Sequence, residues 1–288
     1  MSDQAPVVLV TGASRGAGRG IAIALGGHGC TVYVTGRSKA AGDHPLPGTI
    51  FETAEAVTAA GGKGIAVACD HGDDAQVAAL FDRIRTEQGR LDVLVNNAAA
   101  VHDELTQPGN FWEKPLKLAD MIDVGIRSSY VASWYAAPIM TAQHKALIVF
   151  TSASGAVHYS LGPAYGAHKA SLDKMAHDMA VDFTHAESSV AAVSIWMGAV
   201  LTERLKMVIA SDRAKFGALE AMSENPGFTG DIIWALFNDP AMREKSGKTF
   251  IGTELAQHYG LTDQGRTPPS YRDTHGAVPF TYNTTIIR

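Results

Sequence analysis

Short, nearly all-apolar runs recur along the chain, separated by longer segments of helical periodicity. Val7–Val10, Thr31–Thr35, Gly64–Cys69, Leu91–Asn96, Ala146–Thr151, Val190–Trp196 and Lys248–Ile251 form the series. A strand with one wet face alternates polar and apolar residues; these runs do not, so they read as parallel strands buried on both faces. Helices fit between them. Gly18–Gly27 carries Ile21 and Leu25 at i, i+4, and Thr49–Ala60 opens with a Thr49-x-x-Glu52 capping box. Asp73–Gln88 sets Val77, Leu80, Phe81 and Ile84 on one face, and Pro163–His185 carries a Leu172, Met175, Met179, Phe183 stripe. Leu118–Thr141 is long and mostly apolar, which predicts a helix buried on both faces. This alternation predicts one α/β domain over 1–288, a doubly wound parallel sheet of about seven strands with helices on both faces and right-handed crossovers. Arg37–Gly48 reads as a loop, and so does Pro268–Arg288, which lies within a C-terminal extension over 261–288.

Composition excludes several classes. The net charge of −5, with no block of like charges, offers no basic surface to a nucleic acid. Cys30 and Cys69 fall in expected buried elements without CxxC spacing, as free thiols do in a reducing compartment. Val7–Val10 is too short for a signal peptide, and no run reaches the ~18 apolar residues of a membrane span. The expected location is the cytoplasm. Eleven histidines show neither His-Glu-x-x-His nor a compact ligand cluster, so no metal site is expected.

The first strand runs directly into Thr11-Gly12-Ala13-Ser14-Arg15-Gly16-Ala17-Gly18. A glycine-rich turn there lets backbone approach a pyrophosphate, and the helix that follows offers free N–H groups to the anion. The spacing Gly-x-x-x-Gly-x-Gly differs from the longer Gly-x-Gly-x-x-Gly fingerprint, and no P-loop lysine follows. The expected fold is thus a Rossmann fold, with Gly12, Ser14, Gly16, Ala17 and Gly18 as the cradle. Enzymes that use NAD place an acid at the end of the second strand to hold the ribose 2′-hydroxyl. Here that strand ends Thr35-Gly36-Arg37. Arg37, with Arg15, suits a 2′-phosphate, so the expected cofactor is NADP(H). Asp70, ending the third strand, is either an acceptor for the adenine amino group or a turn residue.

Tyr165 and Lys169 stand i, i+4 at a helix start, and Ser152 ends a strand thirteen residues before Tyr165. Strand ends of a parallel sheet share the ligand-binding edge, so these residues and the glycine loop converge. A tyrosine with a pKa near ~10 needs help to act as acid/base at neutral pH. An ammonium beside it, from Lys169, would lower that value. Lys169 would also hold a ribose, and Ser152 a substrate oxygen.

With these motifs in this order, the chain resembles the short-chain dehydrogenase/reductase family over roughly Val7 to Gly260. The matching residues are Thr11-Gly12 through Gly18, Asn96-Asn97-Ala98-Ala99, Ser152, Tyr165, Lys169, Gly198 and Thr202. Within the family it most resembles the dehydrogenase/reductase member one subgroup. Arg90 through Ala98, Val124-Gly125-Ile126-Arg127 and Glu254 to Gly260 carry that likeness. The resemblance implies that Asn97 and Ala98 line the cofactor cleft and that Gly198, Val200 and Thr202 lie on the nicotinamide side. It also implies a lid over 201–228, and a homodimer or homotetramer built on the long helix and the Tyr165 helix. One departure matters most: the asparagine that usually completes the family's proton relay is Gly125 here.

The expected activity is hydride transfer between NADP(H) and a carbonyl or secondary alcohol, with Tyr165 as acid/base. The apolar lid pattern of Met207, Phe216, Leu219 and Met222 suggests an apolar small-molecule substrate. The alternative is a catalytically weak NADP(H)-binding sensor or scaffold, motivated by Gly125 and opposed by the intact Ser152, Tyr165 and Lys169. Trp112, Trp134, Trp196 and Trp234 are expected in the core, and of the four Trp196, at a strand end on the active edge, is the best candidate to edge the substrate pocket. His158 and Tyr159 follow the Ser152 strand, as pocket edge or as plain loop.

Overall fold

The computed structural model describes residues 4–287. Its seven strands are β1 (Val7–Val10), β2 (Thr31–Gly36), β3 (Lys63–Ala68), β4 (Val93–Asn96), β5 (Ala146–Ser152), β6 (Val190–Trp196) and β7 (Thr249–Ile251). All pair in parallel in the order β3-β2-β1-β4-β5-β6-β7. The direction of winding reverses between β1 and β4, which opens a crevice at the strands' carboxyl ends. Alternate residues of each strand serve opposite layers. Val8 and Val10 pack with Ile21 and Leu25 of α1 (Gly16–Gly27), Val57 of α2 (Ile50–Ala59) and Ile232 of α9 (Phe228–Asn238). Val7 and Leu9 pack with Leu80 of α3 (Asp74–Gln88), Ala136 of α4 (Ser128–Thr141) and Leu172 of α5 (Pro163–His185). Both capping-box hydrogen bonds between Thr49 and Glu52 are present at the start of α2.

The segment read as one long helix is not one. Leu116–Ala119 is a single 3₁₀ turn, Ile122–Arg127 is wide-turned and broken at Val124 and Gly125, and regular helix begins only at Ser128. Neighbours satisfy the backbone at the break. Val124 O accepts from Ala100 N at 2.8 Å, the Gly125 N–H donates to Ser128 Oγ at 3.0 Å, and Gly125 O accepts from Ser129 Oγ at 2.6 Å. Nor are both faces buried. Ala132, Ala136 and Met140 make the inner stripe, while Trp134 is 60% exposed. Small residues suffice where α4 meets the sheet, so apolar content on its outer face misled the reading. Trp112 is likewise exposed, not core.

Beyond β6 lie three short helices, α6 (Glu203–Ser211), α7 (Arg213–Phe216) and α8 (Ala218–Met222). After β7 come α10 (Gly252–His258) and, in the extension read as loop, α11 (Tyr271–His275). Glu254 of α10 fastens α11, accepting from Ser270 Oγ at 2.8 Å and from Arg272 Nε at 2.9 Å.

Candidate active site

The β1–α1 turn is built for close backbone approach. Gly12 and Gly16 hold φ of +64° and +59°, a region that L side chains rarely occupy. A Cβ on Gly18 would lie 2.4 Å from Asn97 Nδ2 and 2.5 Å from the Gly12 carbonyl, so no side chain fits there. Asn97 braces the turn, donating to the Thr11 and Gly12 carbonyls at 2.9 and 3.1 Å. Thr11 Oγ1 accepts from the Asn97 and Ala98 N–H groups at 2.9 and 3.0 Å. No side chain of its own segment caps α1, and Gly16 N–H donates to Glu203 Oε2 of α6 at 2.9 Å. A carboxylate thus sits where the helix would receive a phosphate oxygen. These residues fit a dinucleotide.

At the carboxyl ends of β2 and β3, Arg37 faces Asp70 at 3.8 Å, and Asp70 Oδ1 also accepts from the Gly72 N–H at 2.9 Å. The turn role of Asp70 is therefore present. Arg15 is less free than expected: its guanidinium donates to Ser38 Oγ at 2.7 Å and to the Gly48 carbonyl at 2.9 Å. Burial lowers its guanidinium, the Glu203 carboxylate opposes that, and the Arg37 and Arg204 charges add lesser lowering effects.

Ser152, Tyr165 and Lys169 meet where β5 ends against the start of α5. Lys169 Nζ donates to the Thr151 carbonyl at 3.0 Å and stands 5.6 Å from the centre of the Tyr165 ring. Burial drops the Lys169 ammonium to about 8, and the nearby Asp173 carboxylate opposes the drop. Tyr165 differs from expectation. Burial, with Tyr271 as a lesser cause, pushes its phenol above the ordinary value rather than below it. The lysine ammonium is directed at Thr151, so desolvation governs the phenol. Ser152 is fully buried and its Oγ donates to the Lys169 carbonyl at 3.1 Å.

Gly125 lies against His168, where a Cβ would approach Nε2 to 2.9 Å. The imidazole thus occupies the space that a side chain at 125 would need. Burial pushes His168 strongly down, so it is a neutral ring.

The residues expected on the nicotinamide side, Gly198, Val200 and Thr202, lie along one segment after β6. Gly198 abuts the buried Glu224, Val200 pairs with Glu224, and Thr202 caps α6 while its Cγ2 lies against Gly16. Trp196 is a core residue, fully buried, and its Nε1 donates to Asp173 at 2.8 Å. Tyr271 of α11, like Ala156 and Val157, packs against the cluster of Trp196, Ile251 and Ala277. His275 stacks near His158 at 5.7 Å. The extension therefore covers the segment after Ser152. Sequence reading missed Glu203, Asp173, Glu224 and Tyr271. Of these, only Asp173 carried a signal, an acid one helical turn after Lys169. Among the described residues no group of three or more metal-ligating side chains could hold a metal ion, and no helix is long and apolar enough to cross a membrane.

Comparison with known proteins bears on this architecture. The family model for short chain dehydrogenases matches residues 6–213. The chain belongs to the short-chain dehydrogenase/reductase family, whose members are oxidoreductases using nicotinamide cofactors. It is 38% identical over 277 residues to human dehydrogenase/reductase SDR family member 1, covering 92% of this chain and 85% of that one. Hydroxysteroid dehydrogenase-like protein 2 of Xenopus tropicalis is 29% identical over 262 residues, covering 89% of this chain and 58% of that one. Among solved structures, a putative dehydrogenase from Xanthomonas campestris matches with a TM-score of 0.76 at 26% identity, covering 93% of this chain and 98% of that one. A short chain dehydrogenase from Mycobacterium thermoresistibile matches at 0.73 and 26%, covering 89% and 88%.

Proposed function

We propose that the chain is an NADP(H)-dependent carbonyl reductase and alcohol dehydrogenase, with Tyr165 as acid/base. The observation that carries the reading is the convergence of Lys169, Tyr165 and the end of β5, with Lys169 Nζ 5.6 Å from the phenol ring. The bound cofactor would supply or accept the hydride at carbon. Tyr165, kept protonated by burial, donates its proton to the oxygen that gains charge when a carbonyl is reduced. Lys169 stabilises the phenolate left behind, and Ser152 orients the oxygen from the strand end. Gly12, Ser14, Gly16, Ala17 and Gly18 cradle the pyrophosphate, with Asn97 and Ala98 beneath. Arg37 and Arg15 receive the 2′-phosphate and Asp70 the adenine edge. Gly198, Val200 and Thr202 flank the nicotinamide.

The helices of 201–228 serve as a lid, and apolar side chains there favour an apolar substrate. The exposed Tyr130 and Trp134 on α4 suit pairing with a second copy of the chain. The reading places the enzyme in the cytoplasm. NADPH absorbance measured against a panel of ketones, aldehydes and alcohols tests the activity. Carbonyl-dependent NADPH consumption is expected; its absence across the panel contradicts the reading.

A further inference from the structure

The start of α1 receives a carboxylate from far along the chain. Arg19 N–H donates back to the Arg15 carbonyl at 3.1 Å, which leaves the N–H groups of Gly16, Ala17 and Gly18 without a partner inside the helix. No acid stands in the first turn of α1, and Arg15 at its N-cap supplies no side-chain acceptor. The Gly16 N–H nevertheless donates at 2.9 Å to Glu203 Oε2, from a residue 187 positions away.

The first turn of α6 reaches both sides of the crevice. Thr202 caps it, accepting from the Leu205 N–H at 3.3 Å, and a Cβ on Gly16 would lie 3.5 Å from Thr202 Cγ2. Glu203 holds the glycine turn that follows β1. Its neighbour Arg204 holds the segment that follows β4, pairing with Asp103 and donating to the Val101 carbonyl at 3.2 Å. β1 and β4 are the strands between which the winding reverses. Two consecutive side chains thus strap α6 across the opening where a dinucleotide enters such a sheet. Glu203 also has a second partner within reach. Arg19 Nη1 lies 4.0 Å from its Oε1, and Arg19 Nε is buried with no hydrogen-bond partner among the described residues.

A helix start favours an anion, and a carboxylate and a phosphate oxygen compete for the same N–H. A contact made only without cofactor divides the apparent affinity by the fraction of molecules that are open. The coupling is reciprocal: whatever factor α6 takes from the cofactor, the cofactor takes from the docking of α6.

We propose that Glu203 is a tethered competitor of the cofactor's pyrophosphate and that α6 is the strap it fastens. Dinucleotide binding drives Glu203 off the Gly16 N–H, leaves it against Arg19 and frees the start of α6. This rests on the reading of the glycine turn as a dinucleotide cradle.

The test combines fluorescence titration with NADPH and NADH and hydrogen exchange of the α6 amides followed by mass spectrometry. The proteins are wild type, Glu203→Gln and Asp103→Ala. Glu203→Gln keeps the size and one acceptor oxygen and removes the charge. It should bind NADPH about three- to tenfold tighter. NADH carries the same pyrophosphate and should show the same ratio. Asp103→Ala releases the other end of the strap and should tighten binding about two- to threefold. In wild type, NADPH should speed exchange in α6; in Glu203→Gln exchange should be fast before cofactor is added and change little afterwards. A wild type that binds cofactor while α6 exchange slows or stays the same, or a Glu203→Gln that binds no tighter, overturns this inference alone. A wild type that binds neither NADPH nor NADH overturns the cofactor reading and this inference with it.

Discussion

Arg37, with Arg15, carries the proposed preference for NADP(H). Arg37 directly follows β2, where an acid would hold a ribose hydroxyl, and its partner, Asp70, is 3.8 Å away and partly exposed. Arg37→Ala should weaken NADPH binding by about 1.5–3 kcal/mol and leave NADH nearly unchanged. Fluorescence titration with both cofactors checks this; equal losses, or a wild type that prefers NADH, would remove the assignment. Glu224 makes a second prediction. Burial pushes its carboxyl up to about 7, and its Oε2 has no hydrogen-bond partner. A carboxyl raised on folding costs nothing below its unfolded value near ~4.3, and the cost grows as pH rises toward the folded value. Glu224→Gln mimics the protonated acid. It should leave the melting temperature unchanged at pH 4 and raise it at pH 8; a variant less stable at pH 8 would show that the charged form is the one the fold holds. Residues at this scale were legible where backbone geometry dictates them, as at Gly12 and Gly18. Asp173 and Glu224 were not, because their roles arise from strand register and from a segment folding back over Gly198.

The elements were legible in proportion to how completely they are buried. β1, β5 and β6 carry no polar face, so burial on both sides shows directly in their residues. The start of α2 was legible because a capping box is local. The break before α4 was not, because its surroundings are distant in sequence: Ala100 bonds the Val124 carbonyl and His168 on α5 lies where a Cβ of Gly125 would go. Pairing of α11 with Glu254 likewise depends on residues sixteen and eighteen positions away. At this scale α6 makes a prediction. Its Glu203 accepts from the Gly16 N–H at 2.9 Å, while its Arg204 pairs with Asp103 and donates to the Val101 carbonyl at 3.2 Å. A phosphate oxygen seeking the Gly16 N–H must displace the carboxylate. Glu203→Ala should therefore tighten NADPH binding, by about 0.5–1.5 kcal/mol for one exchanged hydrogen bond. Weaker binding in isothermal titration would mean that Glu203 supports the cradle instead of competing for it.

Across the whole molecule, the parallel order places the glycine turn after β1, Asn97 after β4, Ser152 at the end of β5 and Gly198 after β6 along one edge. That convergence follows from strand–helix alternation, which is why fold and candidate site could be read together from the sequence. The electrostatics could not. Tyr165 is governed by desolvation, with Tyr271 of the C-terminal extension a lesser cause, and Lys169 by its burial, which Asp173 opposes; a linear motif contains none of these. The most direct measurement is steady-state carbonyl reduction by Tyr165→Phe, with NADPH affinity determined separately. The substitution keeps the ring and removes only the hydroxyl. Turnover should fall by at least about 10²–10⁴, the span of general acid catalysis, while NADPH affinity stays near wild type. Retention of more than about a tenth of wild-type turnover would contradict the assignment of Tyr165 as the proton donor.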